Sequence, residues 1–313
     1  MRPLPVLRTQ RLLLRWFTPE DAEFVRRLLN DPAWLRHIGD RGVRTRKQAT
    51  AWIRARLVEP YGRLGFGFWA MERLVDGHLI GLCGLVQRDT LPHADVGYAL
   101  MPAWRGQGYA REAAVACMRY GREVLGLPAI WGITSPSNAD SARVLEDLGL
   151  RRDGVRHLAG DATPTQVFRS PDFPLGDDRM QLDALTHRFL AAFTNREGAI
   201  PTVTALPHYF TADAVVRVAG PLGETTATGV HGFIAPRAEL LFGGRLVDFE
   251  EHETGHTMDV AGAIAQRWLH YEKSGRQDGL AFRGAGTKAL QFVRTRQGWK
   301  IAALAWQDEI IPA

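Results

Sequence analysis

The stretch Asp95–Ala114, DVGYALMPAWRGQGYAREAA, constrains the fold more than any other part of this 313-residue chain. An apolar run of strand character ends at Met101-Pro102. An arginine and two glycines follow at Arg105, Gly106 and Gly108, and a run of helical character then begins. Strand, glycine turn and helix in that order is the layout of a phosphate-binding loop. Glycines let backbone amides approach an anion, and the helix N-terminus adds partial positive charge. Two such layouts fail on the residues present. The mononucleotide loop needs a lysine and a Ser or Thr after its last glycine, where this chain has Tyr109 and Ala110. The dinucleotide fingerprint needs a third glycine, where Arg111 stands, and an acidic residue closing the next strand, which Ala129–Thr134 lacks. A plain strand-to-helix turn is the simpler reading.

The elements around this stretch alternate. Strands are expected at Arg11–Phe17, Gly67–Arg73, His78–Val86, Ala94–Leu100, Ala129–Thr134 and Thr165–Arg169, and helices at Pro19–Leu29, Gln48–Val58, Gly108–Leu125 and Asn138–Leu148. The proline- and acid-rich SPDFPLGDD, Ser170–Asp178, has no periodicity and marks a boundary. The domains expected are therefore residues 1–172 and 178–313, with 173–177 as linker. In the second, helices at Asp178–Asn195 and Ile200–Phe210 precede strands at Ala214–Ala219, Arg245–Glu253, Thr257–Tyr271, Ala281–Arg296 and Trp299–Trp306, with a hairpin turn in RTRQGW. Helices followed by an antiparallel sheet make an α+β domain behind an α/β one.

Composition bounds the partners. The formal charge is +5, and all but four of the 39 basic residues are arginine. That balance favours an anionic ligand such as a nucleotide cofactor. No dense basic run is interleaved with aromatics, so no nucleic-acid partner is expected. No apolar run approaches the roughly 20 residues that span a bilayer, and the N-terminus lacks the features of a signal peptide. Cys83 and Cys117 have no metal-like spacing and read as buried free thiols in a reducing cytoplasm.

Arg105-Gly106-Gln107-Gly108-Tyr109-Ala110 has the form Arg-x-x-Gly-x-Ala, which resembles the acyl-coenzyme A pyrophosphate loop of the GNAT N-acetyltransferase family. Downstream, Asn138–Leu150 resembles that family's Asn-x-x-Ser-x-x-Val-x-x-x-Leu-Gly-Phe pattern, with Leu150 in place of the phenylalanine. The resemblance covers about residues 6–170, and RLLLRWFTPEDAEF and ADVGYALMPAWRGQGYA look most like the RimJ/RimL-like branch. It implies a mixed, largely antiparallel sheet splayed at the coenzyme site, with acetyl-CoA as co-substrate, an amine acceptor, direct transfer in a ternary complex and no metal. Pantetheine would pair with the backbone of Ala99, Leu100 and Met101. The pyrophosphate would lie on Arg105, Gly106, Gln107, Gly108, Tyr109 and Ala110, with Asn138 also at the coenzyme. Asp95 matches a carboxylate of the branch, in Asp95-Val96-Gly97-Tyr98 where Glu-Ile-Gly-Tyr is frequent. Being one methylene shorter, it would act as general base directly or, more readily, through a water. Ser141 matches the position that would protonate the departing thiolate. The plainer readings are a solvated strand-end aspartate and a capping or helix-surface serine. Trp16, Trp34, Trp52, Trp69 and Trp131 supply core and acceptor cleft. The rival functions are a non-catalytic acyl-CoA sensor and isomerase or hydrolase chemistry in the second domain.

In that second domain His252-Glu253-Thr254-Gly255-His256 is a formal H-E-x-x-H. The zinc motif needs a helix, but these flanks read as extended. On a strand the two histidines stand about 13 Å apart, too far to share one zinc. Gly286–Thr295, with Gly298–Ile301 and Ala305–Glu309, resembles the nuclear-transport-factor-2-like (SnoaL-like) fold over about residues 178–309. That resemblance implies a cone-shaped curved sheet with a pocket. His187, His252, Asp259, His270 and Tyr271 could reach the pocket, without forming a convincing acid/base dyad. Leu290, Phe292, Ile301 and Leu304 would face the interior. Arg294, Arg296, Trp299, Lys300 and Trp306 would form an outer face, part aromatic and part basic, that supports a homodimer through this domain.

Overall fold

The computed structural model describes residues 3–159, 163–220 and 224–309. The chain divides into two compact units. One comprises Met1–Tyr61 and Phe66–Pro174, the other Gly62–Gly65 and Leu175–Ala313.

Along the first unit run β1 (Pro5–Arg8), β2 (Leu12–Arg15), α1 (Ala22–Leu29), α2 (Pro32–His37), α3 (Arg46–Ile53), α4 (Glu59–Leu64, whose last three residues are assigned to the other unit), β3 (Phe68–Arg73), β4 (Leu79–Val86), β5 (Asp95–Leu100), α5 (Tyr109–Glu123), β6 (Trp131–Thr134), α6 (Ala139–Asp147), β7 (Arg151–Arg156) and β8 (Thr165–Arg169). The strands form one eight-stranded sheet in the order β1-β2-β3-β4-β5-β6-β8-β7. All pairs are antiparallel except β5–β6. Central β4, LIGLCGLV, is buried at its six inner positions, so it reads as a continuous apolar run rather than an alternating one. The helical run opens on Thr18, whose backbone N–H donates to Asp21. Asp21 in turn accepts two hydrogen bonds of 2.9 Å from buried Arg15. Cys83 of β4 and Cys117 of α5 are free, buried thiols with their sulfurs 3.5 Å apart.

Four elements here lay outside the expectation, among them α4, which extends the helical run past the expected end at Val58. β1 is four residues long, too short to show a period. α2 is a six-residue helix held by Asp31, which accepts from the amides of Ala33 and Trp34. β7, RRDGVR, is a polar edge strand without a buried residue.

The second unit contains α7 (Asp178–Ala191), α8 (Leu206–Tyr209), β9 (Phe210–Ala219), β10 (Thr225–Gly229), α9 (Val230–Phe242), β11 (Leu246–Ala261), β12 (Ile264–Gln277), β13 (Leu280–Thr295) and β14 (Gly298–Asp308). Its six-stranded sheet runs β10-β9-β14-β13-β12-β11, with only β9–β14 parallel. The expected helix Ile200–Phe210 reduces to a 3-10 turn at Val203–Ala205 and the four-residue α8. The expected strand Thr257–Tyr271 is two strands, joined by a tight turn at Gly262, whose φ of +63° lies in the left-handed region. Helix α9 was not anticipated, because Gly232 and Pro236 interrupt its pattern.

The outer-face expectation is overturned. Leu290, Phe292, Ile301 and Leu304 are buried, but so are Trp299 and Lys300. The β13–β14 pairing shifts between Gln291 and Phe292, which breaks the strict two-residue alternation. Trp299 Nε1 then donates to Asp178 Oδ1 at 3.1 Å, and Lys300 Nζ donates to the His208 carbonyl. Trp306 packs against Phe233 of α9. Trp299, Lys300 and Trp306 thus pack against the unit's own helices while Arg294 and Arg296 stay exposed, so the five do not make one outer face and the homodimer argued from it loses that support.

Candidate active site

The site grows from the way β5 leaves its neighbours. β4 and β5 pair over their full common length, Gly81↔Leu100 to Val86↔Asp95. β5 and β6 pair only at Asp95↔Trp131 and Val96↔Gly132. Beyond Val96 the two strands part, and one edge of β5 is open. Backbone groups alternate along a strand. Met101 N donates to Ile80 O of the β4 side, and Ala94 O accepts from Trp131 N of β6. Odd-numbered residues therefore turn to β4, and even-numbered ones to the open edge. Of the three residues expected to meet pantetheine, Ala99 and Met101 face β4 and Leu100 faces the opening. Tyr98 shares its orientation.

The turn that follows carries two left-handed glycines, Gly106 (φ +72°) and Gly108 (φ +80°). Gly108 is the N-cap of the 15-residue α5, and no side chain caps that helix. The amides of Tyr109, Ala110 and Arg111 lie in its first turn, where no intrahelical acceptor exists. A turn of this kind can receive an anion on backbone amides alone. A Cβ on Gly106 would meet nothing within 4 Å, and one on Gly108 only Arg11 Nη2 at 3.5 Å. The Tyr109 side chain is buried and lies beneath the Arg11 guanidinium, 4.2 Å from its centroid. Gln107 turns back, donating from Nε2 to Ala103 O at 2.8 Å.

Arg105 is committed elsewhere than on the loop. Its Nε and Nη2 donate to Leu100 O at 3.0 and 2.9 Å, and Nη2 also pairs with Asp31. The cation beside the loop is instead Arg11. It donates to Gln107 O at 3.1 Å and pairs with Glu112 at 2.6 Å. Glu112 also accepts from Thr9 Oγ1, at 2.6 Å. Arg11 and Asp31 are functional candidates that sequence reasoning missed. Their partners lie 96 to 101 and 74 residues away, beyond any local pattern.

Asp95 is neither solvated nor free. Only 1% of it is exposed, and it takes 2.7 and 3.4 Å bonds from Arg88 Nε and Nη2. Burial pushes its carboxyl above the ordinary range, against the pull of Arg88. Ser141 lies on α6 with Oγ 3.1 Å from the Tyr98 hydroxyl, and that hydroxyl donates to Ser141 O at 3.0 Å. Burial raises the Tyr98 hydroxyl to about 12. Asn138 caps α6, accepting from Ser141 N at 3.1 Å. Tyr98 is a third residue the sequence did not single out. Its backbone faces the open edge, and its hydroxyl, bonded to Ser141, links β5 to α6 at the fork.

In the second unit the HETGH stretch lies within β11. His252 sits 3.7 Å from Glu250 and 4.0 Å from Glu272, whereas His256 pairs with Glu253. Among the described residues no group of three or more His, Cys, Asp or Glu is placed to hold a metal. Also among them, no helix is long and apolar enough to cross a membrane.

Residues 11–151 match the acetyltransferase (GNAT) domain family. The uncharacterized N-acetyltransferase YoaA of Bacillus subtilis is 29% identical over 171 residues, 52% of this chain and 95% of the relative. The uncharacterized protein YkkB of the same organism is 30% identical over 145 residues, 45% of this chain and 83% of the relative. A crystal structure of an acetyltransferase from Agrobacterium tumefaciens is 29% identical, covering 53% of this chain and 94% of that one, with a TM-score of 0.46. Through its first domain the chain belongs to the GNAT acetyltransferase family, and it is an enzyme of the N-acetyltransferase class.

Proposed function

We propose that this enzyme moves the acetyl group of acetyl-CoA directly onto a primary amine, a protein N-terminus or a small-molecule amine, in a ternary complex. The observation that carries the reading is the uncapped first turn of α5 behind two left-handed glycines, next to the open edge of β5. The amides of that turn suit a pyrophosphate. The free N–H of Leu100 and both backbone groups of Tyr98 suit the amides of a pantetheine arm.

In the transfer, the amine nitrogen bonds to the thioester carbonyl carbon and the carbon–sulfur bond breaks. The amine proton leaves to a base and the thiolate takes one up. The chain's work is to hold both substrates in line and to stabilise the oxyanion with a β5 amide. Asp95 is the carboxylate at the fork, and its raised protonation range suits a base reached through water. Tyr98 and Ser141, hydrogen-bonded to each other, are the hydroxyls able to return a proton to sulfur. Cytoplasmic action accords with the free thiols of Cys83 and Cys117.

A second reading, a coenzyme sensor without turnover, is favoured by one feature: Asp95 is already engaged by Arg88. Calorimetric titration with acetyl-CoA and a thiol-release assay across a panel of amines separate the two. Binding with amine-dependent thiol release supports transfer. Binding without release for every amine supports the sensor, and no binding sinks both.

A further inference from the structure

The second unit brings two cations together at one corner. Lys300 of β14 is 7% exposed, and its Nζ donates to the carbonyl of His208 in α8. Arg188 lies in the last turn of α7 and is half-buried. The packing sets the two side by side. α7, α8 and β14 rest on one another. Phe189, next to Arg188, meets Phe210 edge-on with ring centres 5.9 Å apart, and Phe210 is the register partner of Ile301, next to Lys300.

Neither charge is neutralised. The other buried cations among the described residues each have a carboxylate: Arg15 has Asp21, Arg267 has Asp183 and Glu253, and Lys288 has Glu251. Among the described residues no carboxylate pairs with Lys300 or Arg188. The Arg188 Nε is moreover shut from water without a hydrogen-bond partner. A buried cation is ordinarily paired, and a buried donor with nothing to bond is costly. Burial first, and the charge of Arg188 second, push the Lys300 ammonium down to about 8. The two cations thus repel each other, and the structure supplies nothing between them.

We propose that this corner binds a small oxyanion, a carboxylate or a phosphate group, whose oxygens take the Arg188 guanidinium and whose charge also offsets Lys300. The guanidinium presents paired donors that match either group, and the anion gives Nε the acceptor it lacks. Lys300 has two N–H donors beyond the one given to His208 O. The half exposure of Arg188 lets the anion arrive from solvent. All these residues belong to the second unit, and the proposal does not depend on the acetyl-transfer reading.

The first turn of α5 also suits an anion, so the test reads this corner locally. The chain has only four lysines, Lys47, Lys273, Lys288 and Lys300. Full-length protein labelled with carbon-13 at lysine Cε gives one magnetic-resonance signal for each, and Lys300→Met identifies that of Lys300. Inorganic phosphate and acetate are titrated separately, with sodium chloride at equal ionic strength as the control. Arg188→Met and Arg188→Gln remove the guanidinium, and melting temperatures confirm that both are folded. At least one oxyanion should shift the Lys300 signal saturably, with half-saturation below about 10 mM and at least tenfold weaker in both variants. The tighter of the two names the class of ligand. A Lys300 signal unmoved by both oxyanions, moved as much by chloride, saturating only above that concentration, or titrating alike in the Arg188 variants would overturn the proposal.

Discussion

Gly108→Val puts the coenzyme loop to the sharpest test, because the structure separates its two effects. Gly108 has φ +80°, a conformation that costs an L-residue about 1–2 kcal/mol. A Cβ there would be only 3.5 Å from the flexible end of Arg11, an ordinary contact. Stability therefore falls by the backbone strain alone. The branched side chain also stands where an anion must come to reach the first amides of α5. Losing one charge-assisted hydrogen bond is worth about 1.5–3 kcal/mol, or roughly 10- to 150-fold in coenzyme affinity. Gly77→Val supplies the control. That residue has φ +69° with nothing within 4 Å of an added Cβ, and it lies in the turn between β3 and β4. Both variants should lose similar thermal stability, while only Gly108→Val weakens acetyl-CoA in calorimetric titration. If the two bind acetyl-CoA within threefold of each other, the pyrophosphate does not lie on this turn.

Asp95→Asn should lower turnover about 10²- to 10⁴-fold with the KM for acetyl-CoA little changed if Asp95 relays the amine proton. Near-normal turnover in a less stable protein would leave it only the role of pairing Arg88. Arg105→Met should cost about 1–3 kcal/mol in urea unfolding, since it strips donors from Leu100 O and from Asp31, which is 5% exposed. A variant as stable as the parent would show that clamp to be idle. Lys300 is buried without a carboxylate partner among the described residues, and its ammonium is pushed down to about 8. Between there and its ordinary value of 10.5 the unfolded chain holds more protons than the folded one, so stability should rise with pH across that window. Lys300→Met should flatten the rise. At pH 7 it should gain about 2 kcal/mol, the relief of burying a charge less one lost hydrogen bond to His208 O. Lower stability at pH 7 would refute this sign.

What was legible in the sequence was local. The chain from β3 to α6 follows from runs, turns and caps a few residues wide, and the glycine loop was visible because its residue types are demanded by backbone geometry. β7 and α2 escaped because neither buries a stripe: one is a polar edge, the other a single capped turn and a half. The second unit was harder for a different reason. Its strands run to 16 residues, so the faces of a strand depend on where bulges fall. The shift at Gln291/Phe292 broke the alternation and turned part of an expected outer face into buried structure. No composition or periodicity in residues 286–308 announces that shift.

Arg105 shows the same limit inside the candidate site, and its position changes what the motif's arginine does here. A reading from residue type alone puts that cation on a phosphate. The structure spends two of its bonds on the carbonyl of Leu100, the last residue of β5, and one on Asp31, which in turn caps α2. Because Leu100 O points to the open edge and is already taken, a pantetheine arm lying along β5 finds there the N–H of Leu100 and both groups of Tyr98, but not that carbonyl. The arginine thereby fixes the end of the strand along which the proposed arm would lie, and it ties the strand to the helix that follows α1. In the proposed complex the positive charge facing the diphosphate would then be carried by the α5 amides with Arg11 beside them. Arg11 is itself held in place by Glu112 from the first turn of the same helix.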